Sequence, residues 1–167
     1  MPIKNRIALT LTLTSSLLLS ANSHAELLGP FNWGANIESI KQQEQQTLLE
    51  EKSHSLIYQS QLAGQAYHLE YLFTGSPPQQ QLVEQLYYRS LSHNNSLCAQ
   101  AFSEALKSLS QHYGQPQKPA ELPTSCEQKP RSHWQLPSGE QLQLLLDQWR
   151  SQPYVGLRIT PAPSAIP

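Results

Sequence analysis

Two cysteines and the helix beside them constrain the fold of this chain more than any other feature. Asn95 to Tyr113 predicts one amphipathic helix, and Gly114 is the residue type that commonly ends one. The prolines that follow within a few residues prevent its continuation. The residues of its apolar face recur every three or four positions: Cys98, Phe102, Leu106, Leu109 and Tyr113. We therefore expect the thiol of Cys98 to point into the body of the domain.

The N-terminal segment predicts export. Lys4 and Arg6 precede an apolar run, and Ser23-His24-Ala25 is a small-x-small cleavage sequence. We therefore predict a Sec-type signal peptide over residues 1–25, cleaved before Glu26. The apolar run is too short to span the about 30 Å of membrane hydrocarbon. A periplasmic or secreted bacterial protein is expected, with no stable membrane anchor after signal cleavage.

An exported chain with two cysteines favours a disulfide bond between Cys98 and Cys126. Two free thiols or a metal-binding pair are the alternatives. The cysteines are too far apart for a CxxC redox motif, and no histidine lies at zinc-finger spacing from both of them. The bond would tie the far end of a proline-rich loop to the first turn of the helix.

Length and charge narrow the class of protein. Residues 26–160 suit a single domain with a sizeable core, and residues 161–167 are predicted to be a disordered tail. Without Lys4 and Arg6 the chain carries 9 basic and 12 acidic side chains, a formal charge of −3. Basic clusters are absent from the sequence, so nucleic acid is not expected as a partner.

The first half of the domain predicts one helix and three strands. Asn36 suits a helix N-cap, and apolar residues from Ile37 to Leu48 extend a surface helix that ends at Glu50-Glu51-Lys52. Ser55–Leu62 and Ala66–Phe73 then alternate around Ala63-Gly64, which indicates an antiparallel hairpin. Residues 81–91 predict a third strand that is rich in aromatic residues.

The second half follows the Asn95–Tyr113 helix with three more strands, at residues 133–136, 141–149 and 154–160. A helix over residues 140–150 is the alternative for the second of these, because leucine and glutamine favour helices. The predicted fold class is α+β. It is a two-layer domain with the order helix, three strands, helix, three strands, and its helices lie on one face of a mainly antiparallel sheet.

Short motifs in this arrangement resemble those of small exported bacterial proteins to which no activity has been assigned. The motifs are Trp33-Gly34 before a short helix, the hairpin from Leu56 to Phe73, Tyr113-Gly114-Gln115-Pro116 at the end of a helix, and Trp134 at the start of the last sheet segment. The resemblance covers most of residues 31–160. It implies the fold and export, and it brings no catalytic residues.

The residue types that carry chemistry do not form a recognisable catalytic pattern. Glu70 and Asp147 are the acidic pair that a hydrolase of envelope material would use, if the two side chains met in one cleft. A G-x-S-x-G motif is absent from the sequence, and the histidines lack the H-x-x-x-H or H-x-H spacing of metal ligands. We predict no catalytic residue, metal ligand or cofactor, and the sequence favours a non-enzymatic protein without deciding the question.

Leu145 and Trp149 are the predicted binding surface. If Leu142, Leu144 and Leu146 face the core, these two residues lie on the outer face of the same strand. The expected function is a non-catalytic binding or envelope-assembly module that contacts an envelope or periplasmic protein. The alternatives are a periplasmic hydrolase and a carrier that holds a small ligand between the two helices and the sheet.

Overall fold

The computed structural model of the chain describes Leu28 and residues 32–163. The predicted signal peptide and the last four residues of the predicted tail therefore lie outside the described residues. These described residues include two helices, α1 (Ile37–Gln43) and α2 (Asn95–Tyr113). The strands are β1 (Leu48–Lys52), β2 (Ser55–Leu62), β3 (Gln65–Thr74), β4 (Gln81–Ser90), β5 (Arg131–Gln135), β6 (Gln141–Trp149) and β7 (Gln152–Thr160).

All of these strands form one antiparallel sheet with the order β1-β2-β3-β4-β7-β6-β5. It consists of two meanders, one of four strands and one of three. They join where β4 pairs with β7, with Gln85 opposite Ile159 and Tyr87 opposite Leu157. The β2–β3 turn lies at the predicted Ala63-Gly64, where both residues have a positive φ. Such turns match the twist of the two strands that they join.

The predicted fold class is wrong. The described residues form a mainly β domain in which four strands, not three, precede α2, and one of the two helices has only 7 residues. The error lies in residues 44–52, which we had assigned to the first helix. The carboxylate of Glu44 accepts hydrogen bonds from the backbone N–H groups of Gln45 and Gln46, and these no longer point to helix carbonyls. The chain then turns back as β1 and pairs with β2.

Segment 140–150, for which the sequence left a helix open, is strand β6. Its side chains alternate, and Leu142, Leu144 and Leu146 all point into the core. Pairing with β5 on one side and β7 on the other satisfies its backbone groups. The predicted tail begins after Thr160. Of its residues, Pro161 is buried and Ala162 packs near Gly139.

The core lies on one face of the sheet, beneath both helices. Phe102 and Leu109 of α2 and Ile40 of α1 belong to the same buried cluster as Leu69 of β3 and Leu157 of β7. Trp134 is also buried there, and its indole N–H donates to the carbonyl oxygen of Gly114 at 2.8 Å. This bond fixes the end of α2 against β5.

The chain between β4 and β5 crosses the sheet from its centre to one edge. Helix α2 makes up the first part of the crossing and contacts β6 and β7. The disulfide Cys98–Cys126 is formed, with a Cα–Cα distance of 5.3 Å, and both cysteines are buried. Cys126 also donates its N–H to Asn95, and its carbonyl accepts from Gln148 of β6. The loop is therefore fastened to both the helix and the sheet.

Within residues 32–163, no helix combines the length and the apolar character that crossing a membrane requires.

Replacing both Cys98 and Cys126 with alanine is expected to lower the free energy of unfolding by about 3.5 kcal/mol, because the cross-link closes a long loop in the unfolded chain. Urea unfolding of the oxidised protein and of the double variant measures the difference. Thiol titration of the oxidised, denatured protein is the control, since it should detect no reactive thiol. Equal unfolding midpoints in the two proteins would contradict the prediction.

Candidate functional site

The described residues form an open groove of about 600 Å³ on the helix-covered face of the sheet. Its floor is formed by β2, β3 and β4, and its wall is formed by the end of α1 and the residues that follow it. We call it the polar groove. Its lining consists of Asn32, Ile40, Gln43, Glu44, Gln45, Gln46, Ser60, Gln61, Leu69, Tyr71, Gln85 and Tyr87.

The floor of the polar groove interrupts an otherwise apolar row of side chains. Strand register places one residue from each of six strands directly across the core face, in the order Leu56, Tyr71, Gln85, Ile159, Leu142 and Trp134. All of these residues are buried, and Gln85 is 2% exposed. It is the only member of the row with a side-chain amide. Because side chains alternate along a strand, the register leaves Gln85 no solvent-facing position.

Gln85 and Ser60 are the buried polar groups of the floor. Ser60 on β2 is 4% exposed. Among residues 32–163, neither the Gln85 amide nor the Ser60 hydroxyl has a hydrogen-bond partner in the protein. Their polar atoms are not fully enclosed, and both side chains line the polar groove. Buried polar side chains are nearly always hydrogen-bonded in native proteins. A primary amide and a hydroxyl both donate and accept, so together they can bind a ligand group of either kind.

Glu44 and Tyr71 form the fixed polar contact of the wall. The Tyr71 hydroxyl donates to Oε2 of Glu44 at 2.5 Å. The other carboxylate oxygen accepts from the backbone N–H groups of Gln45 at 2.9 Å and Gln46 at 3.1 Å. Burial, together with the hydrogen bond to Glu44, raises the pKa of Tyr71 well above its ordinary value. The hydroxyl therefore keeps its proton at neutral pH and remains a donor to Glu44.

The described residues that line the polar groove include no positive side chain. Among them Glu44 is the only charged residue, and both of its carboxylate oxygens already accept hydrogen bonds. An anionic ligand would find no cation in this lining, and a cationic ligand would have to compete for an occupied carboxylate. The groove is therefore suited to an uncharged ligand that forms hydrogen bonds.

The acidic pair named from the sequence is not brought together. Glu70 lies on β3 and Asp147 on β6, and β4 and β7 separate these strands. Three strand spacings amount to about 14 Å, whereas paired carboxylates in glycosidases lie within about 9.5 Å. Asp147 instead pairs with Lys129 at 2.6 Å and Arg131 at 2.8 Å. Burial of Asp147 acts to raise the pKa of its carboxyl group. The hydrogen bond from Lys129 and the positive charges of Lys129 and Arg131 outweigh burial and lower this pKa.

The histidines are also dispersed. His68 packs edge-on against Tyr88 at 5.1 Å on the sheet face opposite the polar groove. His112 at the end of α2 contacts the carbonyl oxygen of Ser108. Over the part of the chain that the structure describes, His, Cys, Asp and Glu side chains form no group of three that could hold a metal ion.

The two residues of the predicted binding surface have different environments. Trp149 is 70% exposed at the end of β6, where the guanidinium of Arg150 lies 5.9 Å from the centre of its ring. Leu145 is on the same face of the strand but only 1% exposed. Leu145 opposes Gly156, and Leu86 and Tyr154 close over the space above this glycine. Trp149 is therefore available at the surface, whereas Leu145 is covered by neighbouring side chains of the sheet.

No family model matches the chain, and no significant match was found among curated proteins or among solved structures.

Sequence reasoning did not identify the residues of the polar groove. The signal that was present is a polar residue at a position where the alternation of a strand requires a core residue. Ser60 lies between Tyr58 and Leu62 on the inner side of β2, and Gln85 lies two positions before Tyr87 on β4. The sequence pattern places Glu44 inside a helix. The alternative that put a pocket between the helices and the sheet came closest to this site.

Replacing Tyr71 with phenylalanine is expected to lower the free energy of unfolding by about 1–2 kcal/mol at neutral pH, because the hydrogen bond to Glu44 is lost. The raised pKa means that the native state keeps the Tyr71 proton when the unfolded chain releases it. This contribution is fully present below about pH 10, the pKa of tyrosine in the unfolded chain, and is lost as the pH rises above it.

Urea unfolding of the wild type and of the Tyr71→Phe variant, at neutral pH and in a series above pH 10, measures both effects. Other buried tyrosines also have raised pKa values, so the wild type and the variant should both lose stability in alkali. The variant should lose less. Parallel alkaline curves for the two proteins would show that Tyr71 does not contribute.

Proposed function

We propose that this protein is an exported binding protein that holds a small uncharged ligand in the polar groove without transforming it. The observation that carries the proposal is the pair of buried polar groups, Gln85 and Ser60, on the floor of an open groove. Neither has a hydrogen-bond partner among the described residues. A ligand with matching donors and acceptors would supply both partners.

Energetics support a binding role for these positions. A fully buried polar group without a partner costs about 1–3 kcal/mol. The polar atoms of Gln85 and Ser60 keep contact with the open groove, so they bear only part of this cost. Apolar side chains of similar size would fill the same positions at no such cost. Departures of this kind from a consistent core are found mainly at functional sites.

Export is supported by two features. The disulfide Cys98–Cys126 is formed, and such bonds persist mainly in oxidising compartments such as the periplasm or the cell exterior. The predicted signal peptide over residues 1–25, with the resemblance to small exported bacterial proteins, agrees with that location. The signal peptide and the location outside the cytoplasm remain predictions.

The hydrolase that the sequence left open loses its support from Glu70 and Asp147, since two strands lie between them. Within the polar groove, Glu44 is a single carboxylate whose oxygens are both hydrogen-bonded. An acid–base pair for glycoside hydrolysis requires a second carboxyl group, and the lining residues that the structure describes include none. Binding without chemistry is therefore the function that these residues fit best.

A contact with an envelope or periplasmic protein is a second candidate, supported by the exposure of Trp149 at the tip of the β6–β7 hairpin. Exposed tryptophans are frequent anchors of protein interfaces. A photo-crosslinking residue at position 149, in protein exported to a bacterial periplasm, should join to one discrete envelope or periplasmic protein. The same residue in place of Leu122, which is also exposed, is the control. Identical products from both positions would contradict the proposal.

Replacing Gln85 with methionine is expected to raise the free energy of unfolding by about 0.5–1 kcal/mol, because the change keeps the side-chain length and removes an unpaired buried amide. Gln80 offers a matched control. It is also buried, at 4% exposure, but its amide donates to the carbonyl oxygen of Ser53 and lies 3.0 Å from His54. The Gln80→Met variant should therefore lose about 1–2 kcal/mol.

Urea unfolding of the three proteins measures this contrast. Binding is followed on the side-chain amide signals of protein labelled with ¹⁵N-glutamine, with the Gln85 signal assigned by its loss in Gln85→Met. The low-molecular-weight fraction of bacterial periplasm should shift that signal, whereas Gln59, which is exposed on the other face of β2, should not respond. A destabilised Gln85→Met variant, or a Gln85 signal that no fraction moves, would overturn the proposed function.

A further inference from the structure

The unused hydrogen-bonding groups of the polar groove are mainly primary amides. Gln85 and Ser60 are on the floor, and Gln45 and Gln46 stand exposed at the rim. Among residues 32–163, none of these four side chains has a hydrogen-bond partner in the protein. Each primary amide supplies two donor hydrogens and one acceptor oxygen. The groove therefore presents both kinds of group at several points around one space.

Apolar surface lies between these polar groups. Leu69 and Ile40 are buried in the lining, and Tyr71 and Tyr87 contribute aromatic rings. A purely apolar ligand would leave the Gln85 amide and the Ser60 hydroxyl unpaired, and buried sites built for hydrogen bonds reject ligands of that kind strongly. An entirely polar ligand would place its own hydroxyl or amide groups against the apolar surface, where they would find no hydrogen-bond partner.

We infer that the ligand of the polar groove is a neutral saccharide of one or two rings, an inference that rests on the proposed function. A pyranose ring carries hydroxyl groups around its rim, and each hydroxyl both donates and accepts, as the amides require. Its C–H faces are apolar and fit against Leu69 and the tyrosine rings. The described part of the lining offers no cation for an acidic group, and both carboxylate oxygens of Glu44 already accept hydrogen bonds.

A short neutral peptide is the competing class, and it fits less well. Its backbone offers one donor and one acceptor per residue, and successive residues of an extended chain are about 3.4 Å apart. Four unused side chains around a groove of about 600 Å³ require a denser array of partners. The volume is in the range of about 300–1,000 Å³ that is typical of small-molecule sites, and a disaccharide suits it.

The test uses the oxidised protein labelled with ¹⁵N-glutamine and a panel of neutral disaccharides: maltose, cellobiose, lactose and N,N′-diacetylchitobiose. At least one of them should shift the Gln85 side-chain signal in a saturable way. The affinity, measured by isothermal titration calorimetry, should fall at least tenfold in Gln85→Met and in Ser60→Ala, and should be unchanged in Gln59→Met, where the replaced side chain is on the opposite face of the sheet.

An uncharged capped trialanine peptide is titrated in parallel, as is the low-molecular-weight fraction of periplasm. If the peptide or the fraction moves the Gln85 signal and every disaccharide leaves it unchanged, the saccharide inference is wrong and the proposed function stands. If nothing moves the signal in folded protein, both fail. A disaccharide that binds equally well to the wild type and to Gln85→Met also overturns the inference, because it would occupy another site.

Discussion

The pairing of β4 with β7 is the interaction on which the rest of the structure depends. These strands belong to different meanders, and their hydrogen bonds make one sheet from two. Contacts between segments this distant in sequence carry a large loop-closure cost. Several features offset that cost: an apolar core face that runs across both meanders, a crossing helix, and a disulfide that fastens the loop after that helix.

The same pairing determines where the sheet is covered. With β4 and β7 at the centre, the connection to β5 must cross β7 and β6, and α2, about 28 Å long at 1.5 Å per residue, packs on those two strands. The short α1 lies over the other half of the sheet, on the side of β2, β3 and β4. The polar groove opens there, because a helix of 7 residues cannot cover that half as α2 covers its own.

Local patterns predicted most of the strands, α2 and the disulfide. A few neighbouring residues are enough to predict each of these features. Examples are the turn at Ala63-Gly64, the alternation of β3 and the apolar face of α2. The errors have non-local causes. Residues 44–52 leave the helix because the Glu44 side chain binds its own following backbone and Tyr71, and because β2 offers a strand edge. Leu145 is buried by side chains from β4 and β7, which no pattern within β6 could reveal.

The candidate site shows the same limit more clearly. Gln85 directly follows Glu84 in a glutamine-rich chain, and within β4 only its place in the alternation, two positions before Tyr87, distinguishes it from the exposed glutamines. Its meaning depends on its cross-strand neighbours, Tyr71 on one side and Ile159 on the other, which are 14 positions before it and 74 after it. An apolar side chain at position 85 would suit the fold equally well, so the amide lowers the stability of the domain without helping it to fold. An amide between those residues is best explained by a bound partner that the folded chain does not itself provide.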